Sequence, residues 1–320
     1  MEKNLILPKY PFRVEFEIIE ACNLNCLYCY VKPFRGFIIP FKDLKYFFLK
    51  TKEINPFEVI LVGGEPFLRN DIIEILELSS IIFNRVGIST NGTLLSSIPF
   101  DKIQKLKNLI LQNKISLQIS LDSINPEINN ILRGSTEEVI KGLKTLEYYN
   151  IPYSIGIVVT INNYDDITNT IKNLIENFFY IREINLEILR PSKSLGYNYK
   201  KMNVIKDINK DKDALKNIYY DIKSIIIDSK KRISLTGLVD DCLKIPYMLD
   251  SFGFTTCTAG LLRATVLSNG DVTPCALLRD TIVGNLYKES WDDIWKRSIK
   301  RFLDIQGKII GEQCQININP

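Results

Sequence analysis

Up to about residue 190, short runs rich in Val, Ile and Leu alternate with longer amphipathic stretches. The short runs, at 13–19, 58–62, 85–89, 116–121, 153–160 and 183–189, have the length and β-branched content of strands. The longer stretches, at 41–53, 71–83, 100–109, 136–150 and 164–178, repeat their apolar residues at helical spacing. Six strands interleaved with five helices, one unit about every 30 residues, predict a parallel βα protein. Such a run closes into a full or partial barrel, or winds into an open sheet. In both, ligands sit at the carboxyl ends of the strands.

The pattern changes after residue 189. Residues 191–201 read as a loop and 206–230 as a mostly polar helix. From about residue 231 cysteines return, and Asn269-Gly270 between 265–268 and 271–275 signals a hairpin. A boundary near residue 232 then separates a core, 1–231, from a small cysteine-containing extension, 232–320.

Unusual turns follow the first four predicted strands. A cysteine cluster follows the first, Gly63-Gly64-Glu65-Pro66 the second, Ser89-Thr90-Asn91-Gly92 the third, and Leu121-Asp122-Ser123 the fourth. If the strands are parallel, these turns share one edge of one sheet, which points to a common site there.

The cluster is Cys22-Asn-Leu-Asn-Cys26-Leu-Tyr28-Cys29. Three thiolates this close can hold three corners of a cubane iron–sulfur cluster and leave the fourth iron open to a cofactor or substrate. A zinc loop needing a distant fourth cysteine, and buried unligated thiols, are the alternatives. The chain has no histidine, which excludes His-based acid/base catalysis, Ser-His-Asp triads and His-ligated zinc or haem. It has 7 cysteines, an odd and clustered set that suits thiolate-bound metal in a reducing cytoplasm better than a disulfide framework. The net charge, 41 − 37 = +4, is small and its Lys and Arg are scattered, so no nucleic-acid partner is expected. No signal peptide and no transmembrane helix are expected either, for no long apolar run occurs.

The spacing Cys-x3-Cys-x-aromatic-Cys resembles the hallmark of the radical S-adenosylmethionine (SAM) superfamily, and the resemblance runs from Arg13 to about Arg190. It implies a partial (β/α)6 TIM-like barrel. It also implies a [4Fe–4S] cluster on Cys22, Cys26 and Cys29, whose open iron takes the SAM amine and carboxylate. Reduction then breaks the sulfonium C–S bond, and a 5′-deoxyadenosyl radical takes a hydrogen atom from the substrate. Gly63, Gly64, Glu65 and Pro66 resemble the family's GGEP turn, which binds the SAM ammonium, with Tyr28 beside it. Ser89, Asn91, Ser120 and Asp122 resemble its ribose-contacting segments, Thr90 less so; ordinary turns and caps would explain them too. Arg133 resembles an arginine that pairs with the SAM carboxylate, a surface arginine being the alternative. Val159 and Leu189 could wall the adenine, and core packing accounts for them equally well.

A second stretch, from Cys257 to Trp295, resembles the SPASM/twitch extension that carries auxiliary clusters. Cys257, Gly270 and Cys275 fit its opening spacing. The further cysteine run of a full extension is missing after Cys314, so the resemblance implies a truncated form. A single auxiliary cluster would use Cys257, Cys275 and Cys314, with Cys242 or the substrate as fourth ligand; Cys242 could also be a core thiol. Members of this group modify peptides and proteins or build small molecules. A peptide substrate is therefore expected, with a haem-like or other small molecule as runner-up and a non-catalytic iron–sulfur scaffold as a third reading. A reductase, flavodoxin or ferredoxin would supply electrons. No separate peptide-recognition domain is visible before Arg13. No catalytic side chain is singled out.

Overall fold

The computed structural model describes residues 7–32, 36–189, 202, 208–237 and 259–306. Strands and helices alternate as the pattern predicts: β1 (Arg13–Ile19), α1 (Phe41–Lys52), β2 (Glu58–Gly63), α2 (Ile72–Ile82), β3 (Val86–Thr90), α3 (Phe100–Leu111), β4 (Ile115–Ser120). Two helices, α4 (Pro126–Leu132) and α5 (Thr136–Tyr148), then precede β5 (Tyr153–Val159), α6 (Ile167–Asn177) and β6 (Ile181–Ile188). Helix α4 is an addition to the pattern. Asn125 caps it by accepting from Glu127 N at 3.0 Å, and Pro126 occupies its first turn.

Strands β1 to β6 pair in order and in parallel, forming a partial TIM-like barrel. Helix α7 (Ile208–Asp228) leads to β7 (Ser234–Gly237), which pairs parallel to β6. At the other edge β8 (Arg263–Val266) pairs parallel to β1, and β9 (Asp271–Thr273) and β10 (Gly284–Asn285) follow antiparallel. Helix α8 (Trp291–Gln306) completes the described chain. Segments after residue 231 therefore extend both edges of one ten-stranded sheet. The expected hairpin is present: Leu267 N donates to Asp271 O at 2.8 Å, and Gly270 takes φ +82°, a left-handed value that favours glycine.

Alternation along the strands sorts the two faces. Val14, Phe16 and Ile18 of β1 are fully buried, and Phe16 meets Phe48 of α1 edge-on at 5.0 Å. Val59, Leu61, Ile88, Leu117, Ile119, Ile155 and Ile157 continue this layer beneath the helices. Each such side chain contributes roughly 1.5–3 kcal/mol by burial. The intervening positions are more polar: Glu15, Glu17, Ser89, Gln118, Ser120, Ser154, Glu183, Asn185 and Glu187. The core is thus on the helix side, and the other face keeps groups able to meet a polar ligand.

Candidate radical-chemistry site

The three clustered cysteines lie in the loop after β1 and are each half-buried. The loop is tied at several points. Leu24 N donates to Cys22 Sγ at 3.4 Å, Leu27 N donates to Leu132 O at 2.8 Å, and Lys32 Nζ donates to Cys26 O at 2.6 Å. Cys26 Sγ donates to Arg133 O at 3.8 Å. Burial is the main cause that pushes the Cys22 thiol up to about 11 and raises that of Cys26, while the nearby Arg133 draws Cys26 back. Metal-free, these two thiols keep their protons at neutral pH; binding a cation there releases them.

The glycine turn meets the same loop from β2. A Cβ on Gly63 would stand 2.1 Å from Ile19 O, and one on Gly64 would stand 2.1 Å from Ala21 O. Gly64 N donates to Ile19 O at 2.7 Å and Glu65 N to Ala21 O at 2.9 Å. The two glycines are needed for this backbone approach, which fixes the residues leading into Cys22. Arg69, just beyond the turn, is buried and donates from Nη1 to Ile18 O at 2.8 Å and Ile39 O at 2.7 Å.

Glu65 is fully buried. Its carboxylate accepts from Phe67 N at 2.9 Å, Thr90 Oγ1 at 2.6 Å and Asn91 N at 2.7 Å. Burial raises its pKa, and those three donors oppose the rise. The side chain therefore cross-braces the turns after β2 and β3. Asn91 extends the bracing, donating to Asn23 Oδ1 at 2.9 Å and to Cys22 Sγ at 3.9 Å. Thr93 closes the ring, accepting from Asn23 Nδ2 at 2.8 Å and donating to Asn91 Oδ1 at 2.7 Å.

Asp122 is also fully buried, and both its oxygens have protein partners. Oδ1 accepts from Val158 N at 2.9 Å, and Oδ2 accepts from the Tyr28 hydroxyl. Arg133 Nε stands 2.9 Å from Oδ2 as an ion pair whose N–H is not aimed along the contact. The same guanidinium lies 5.2 Å from the Tyr28 ring centre. Burial foremost raises the Tyr28 pKa. Burial is the largest single influence on Arg133 and opposes its charge, but Asp122, Tyr28 and Cys26 together raise its pKa above the ordinary value. Leu132, Leu189 and Met202 pack beside Tyr28. Val159 is fully buried in the main core.

Ser89, the last but one residue of β3, and Ser120, the last of β4, are half-buried. Pro66 starts a short 3-10 turn, Pro66–Leu68, and is buried. Tyr30, next to Cys29, has its pKa raised well above the ordinary value, by burial first and then by Glu15, Glu17, Cys29 and Glu187. Cys275 is half-buried after β9. Cys242, Cys257 and Cys314 lie outside the described residues. Sequence reasoning missed Arg69, Asn23 and Thr93; each acts through folded-state neighbours far along the chain, so no local spacing marks it.

The radical SAM superfamily model matches residues 16–174, and a model for an iron–sulfur cluster-binding domain, SPASM, matches residues 257–316. The chain belongs to the radical SAM superfamily and carries a SPASM-type extension. An uncharacterized protein of Methanocaldococcus jannaschii is 32% identical over 55% of this chain and 62% of its own length. An AdoMet-dependent heme synthase of Methanosarcina barkeri is 24% identical over 90% of this chain and 83% of its own. The antilisterial bacteriocin subtilosin biosynthesis protein AlbA of Bacillus subtilis is 24% identical over 95% and 64%. The chain thus spans less than two thirds of the first and third of these relatives. Streptococcus suis SuiB bound to S-adenosylmethionine superposes with a TM-score of 0.71 at 20% identity, covering 92% of this chain and 67% of that one. At that identity the likeness shows the fold.

The radical SAM and SPASM domains imply a [4Fe–4S] cluster, SAM and auxiliary iron–sulfur binding. The residues present fit the first of these. Among the described residues no three Cys, Asp or Glu side chains converge as ligands of a single metal ion. A cubane spreads three thiolates over three separate irons, which three sulfurs in one short loop can supply. The half-buried sulfurs share one short, braced loop and form no disulfide. Among the described residues no helix is long and apolar enough to cross a membrane.

Proposed function

We propose that this radical SAM protein removes a hydrogen atom from a peptide or protein substrate, in the course of modifying it. The carrying observation is the Cys22–Cys29 loop, held from three sides by the turns after β2, β3 and β4. Cys22, Cys26 and Cys29 are its cluster ligands. When bound, the cluster supplies the electron that cleaves SAM. The chain holds the thiols in place, orients the nucleoside through Ser89, Ser120 and the backbone of Gly63–Pro66, and limits water. Glu65, Asn91, Asp122 and Tyr28 also fix these turns, their polar atoms being engaged with protein, while Arg133, whose buried Nε lacks a hydrogen-bond acceptor, stands beside Tyr28 and Asp122 as the partner for the SAM carboxylate.

Residues 232–320 form the auxiliary unit in this reading, with Cys257, Cys275 and Cys314 as cluster ligands and Cys242 as a candidate fourth. The peptide assignment draws on AlbA and on SuiB, whose structure has also been solved bound to precursor peptide SuiA. The haem synthase relative favours a second reading, a tetrapyrrole-like small molecule. The work is assigned to the cytoplasm, with a flavodoxin, ferredoxin or reductase as electron donor.

The test is anaerobic reconstitution with iron, sulfide, reductant and SAM, followed by assay of 5′-deoxyadenosine. Candidate precursor peptides encoded beside the gene are then added. A mass change in a peptide with matching 5′-deoxyadenosine supports the proposal. Modification of a tetrapyrrole instead would transfer the activity to the second reading, and a loaded cluster that never cleaves SAM would leave only a scaffold.

A further inference from the structure

We propose that Arg279 is a positioning residue that locks the radical-generating cysteine loop to the C-terminal hairpin, fixing the Cys22–Cys29 loop relative to Cys275. The backbone ladder between β1 and β8 covers Arg13–Phe16 against Arg263–Val266 and stops there. Beyond Phe16, toward the cysteine loop, side chains take over. Arg279 grips Glu17 with both terminal nitrogens; Nη2 lies 3.1 Å from Glu17 Oε1. The same Nη2 is 3.9 Å from Glu20 Oε1, and Ser268 Oγ donates to that oxygen at 2.8 Å.

The two carboxylates are buried, Glu17 at 1% exposure and Glu20 at 7%. Glu20 stands two residues before Cys22. On the other side, Leu278 N donates to Cys275 O at 3.0 Å, so a tight turn holds Arg279 beside the hairpin cysteine. One guanidinium thus joins segments 262 residues apart. It serves two buried carboxylates, of which Glu20 Oε2 has no hydrogen-bond partner. A bidentate guanidinium suits this role, because it fixes orientation as well as distance. Removing it leaves two buried carboxylates of the β1 segment without their cation and cuts the charged side-chain tie from that segment to the hairpin.

The experiment uses the full chain, first without iron. Arg279→Met is expected to speed amide hydrogen exchange across residues 20–29 by about tenfold or more, with Arg279→Lys recovering part of the protection. Should Arg279→Met fail to fold, the charge-free variant Glu17→Gln/Glu20→Gln/Arg279→Met replaces it; the proposal expects it to fold and still exchange fast in the loop. In reconstituted protein, loss of the fixed positive charge should also move the N-terminal cluster's midpoint potential to more negative values, and Arg279→Lys should retain most of it. Wild-type exchange in the loop of either Met-bearing variant, or identical losses for Lys and Met, would overturn the proposal.

Discussion

The two sulfur-bearing regions are built differently. The loop of Cys22, Cys26 and Cys29 is short in sequence and follows β1; Asn91 donates to the Cys22 sulfur, the Cys26 thiol donates to Arg133 O, and the Gly64 and Glu65 amides hold the Ile19 and Ala21 carbonyls that lead into it. The C-terminal region has its cysteines spread over 72 residues, from 242 to 314, and its described strands extend both edges of the same sheet. Trp291 and Trp295 of α8 are buried, and Trp291 Nε1 donates to Thr51 Oγ1 of α1 at 3.1 Å. The first region concentrates chemistry in a preorganised turn. The second integrates with the core by packing, and its chemistry is spread over a longer chain.

That contrast can be broken most sharply at Cys26. Cys26→Ala should abolish 5′-deoxyadenosine formation while the fold persists by circular dichroism, because the cubane loses one of three anchors. Next in size, Asp122→Ala leaves Arg133 buried without its partner, with an expected loss of about 3–5 kcal/mol in denaturant-measured stability. A neutral result there would mean the Tyr28–Asp122–Arg133 contacts do not hold the loop. Glu65→Ala strips an acceptor from Thr90 and from two backbone amides, a cost of about 1–3 kcal/mol, together with weaker SAM binding by calorimetry. Cys275→Ala should lower iron per chain without removing the SAM-responsive cluster; equal iron in both proteins would refute an auxiliary role for Cys275. The smallest effect is expected for Lys141→Ala, whose partner Glu137 is exposed on the same helix: its denaturation midpoint should match that of the parent protein.

The βα alternation was legible because each strand and helix has its own apolar period, and all six predicted core strands occur within two residues of their expected limits. The hairpin at Asn269-Gly270 was legible because a tight turn needs a left-handed residue. Helix α4 was hidden by its shortness, β7 by its dependence on β6, and the pairing of the hairpin's first arm, β8, with β1 by the distance between them in sequence. At the site, spacing revealed the three cysteines and the glycine turn. Spacing did not show the second task of the polar residues expected to face SAM: Glu65 and Asp122 also accept from protein donors and tie neighbouring turns. Conversely Arg69 and Arg279 brace the cysteine loop from a distance, with nothing in their local sequence to announce it.

The central claim is that three thiolates in one loop leave a cluster iron open for SAM. Electron paramagnetic resonance on reduced, anaerobically reconstituted Cys257→Ala/Cys275→Ala protein, recorded with and without SAM, tests it without the auxiliary unit. The expected result is a cubane signal whose g-values shift when SAM is added. No cubane signal, or one indifferent to SAM, would contradict the assignment.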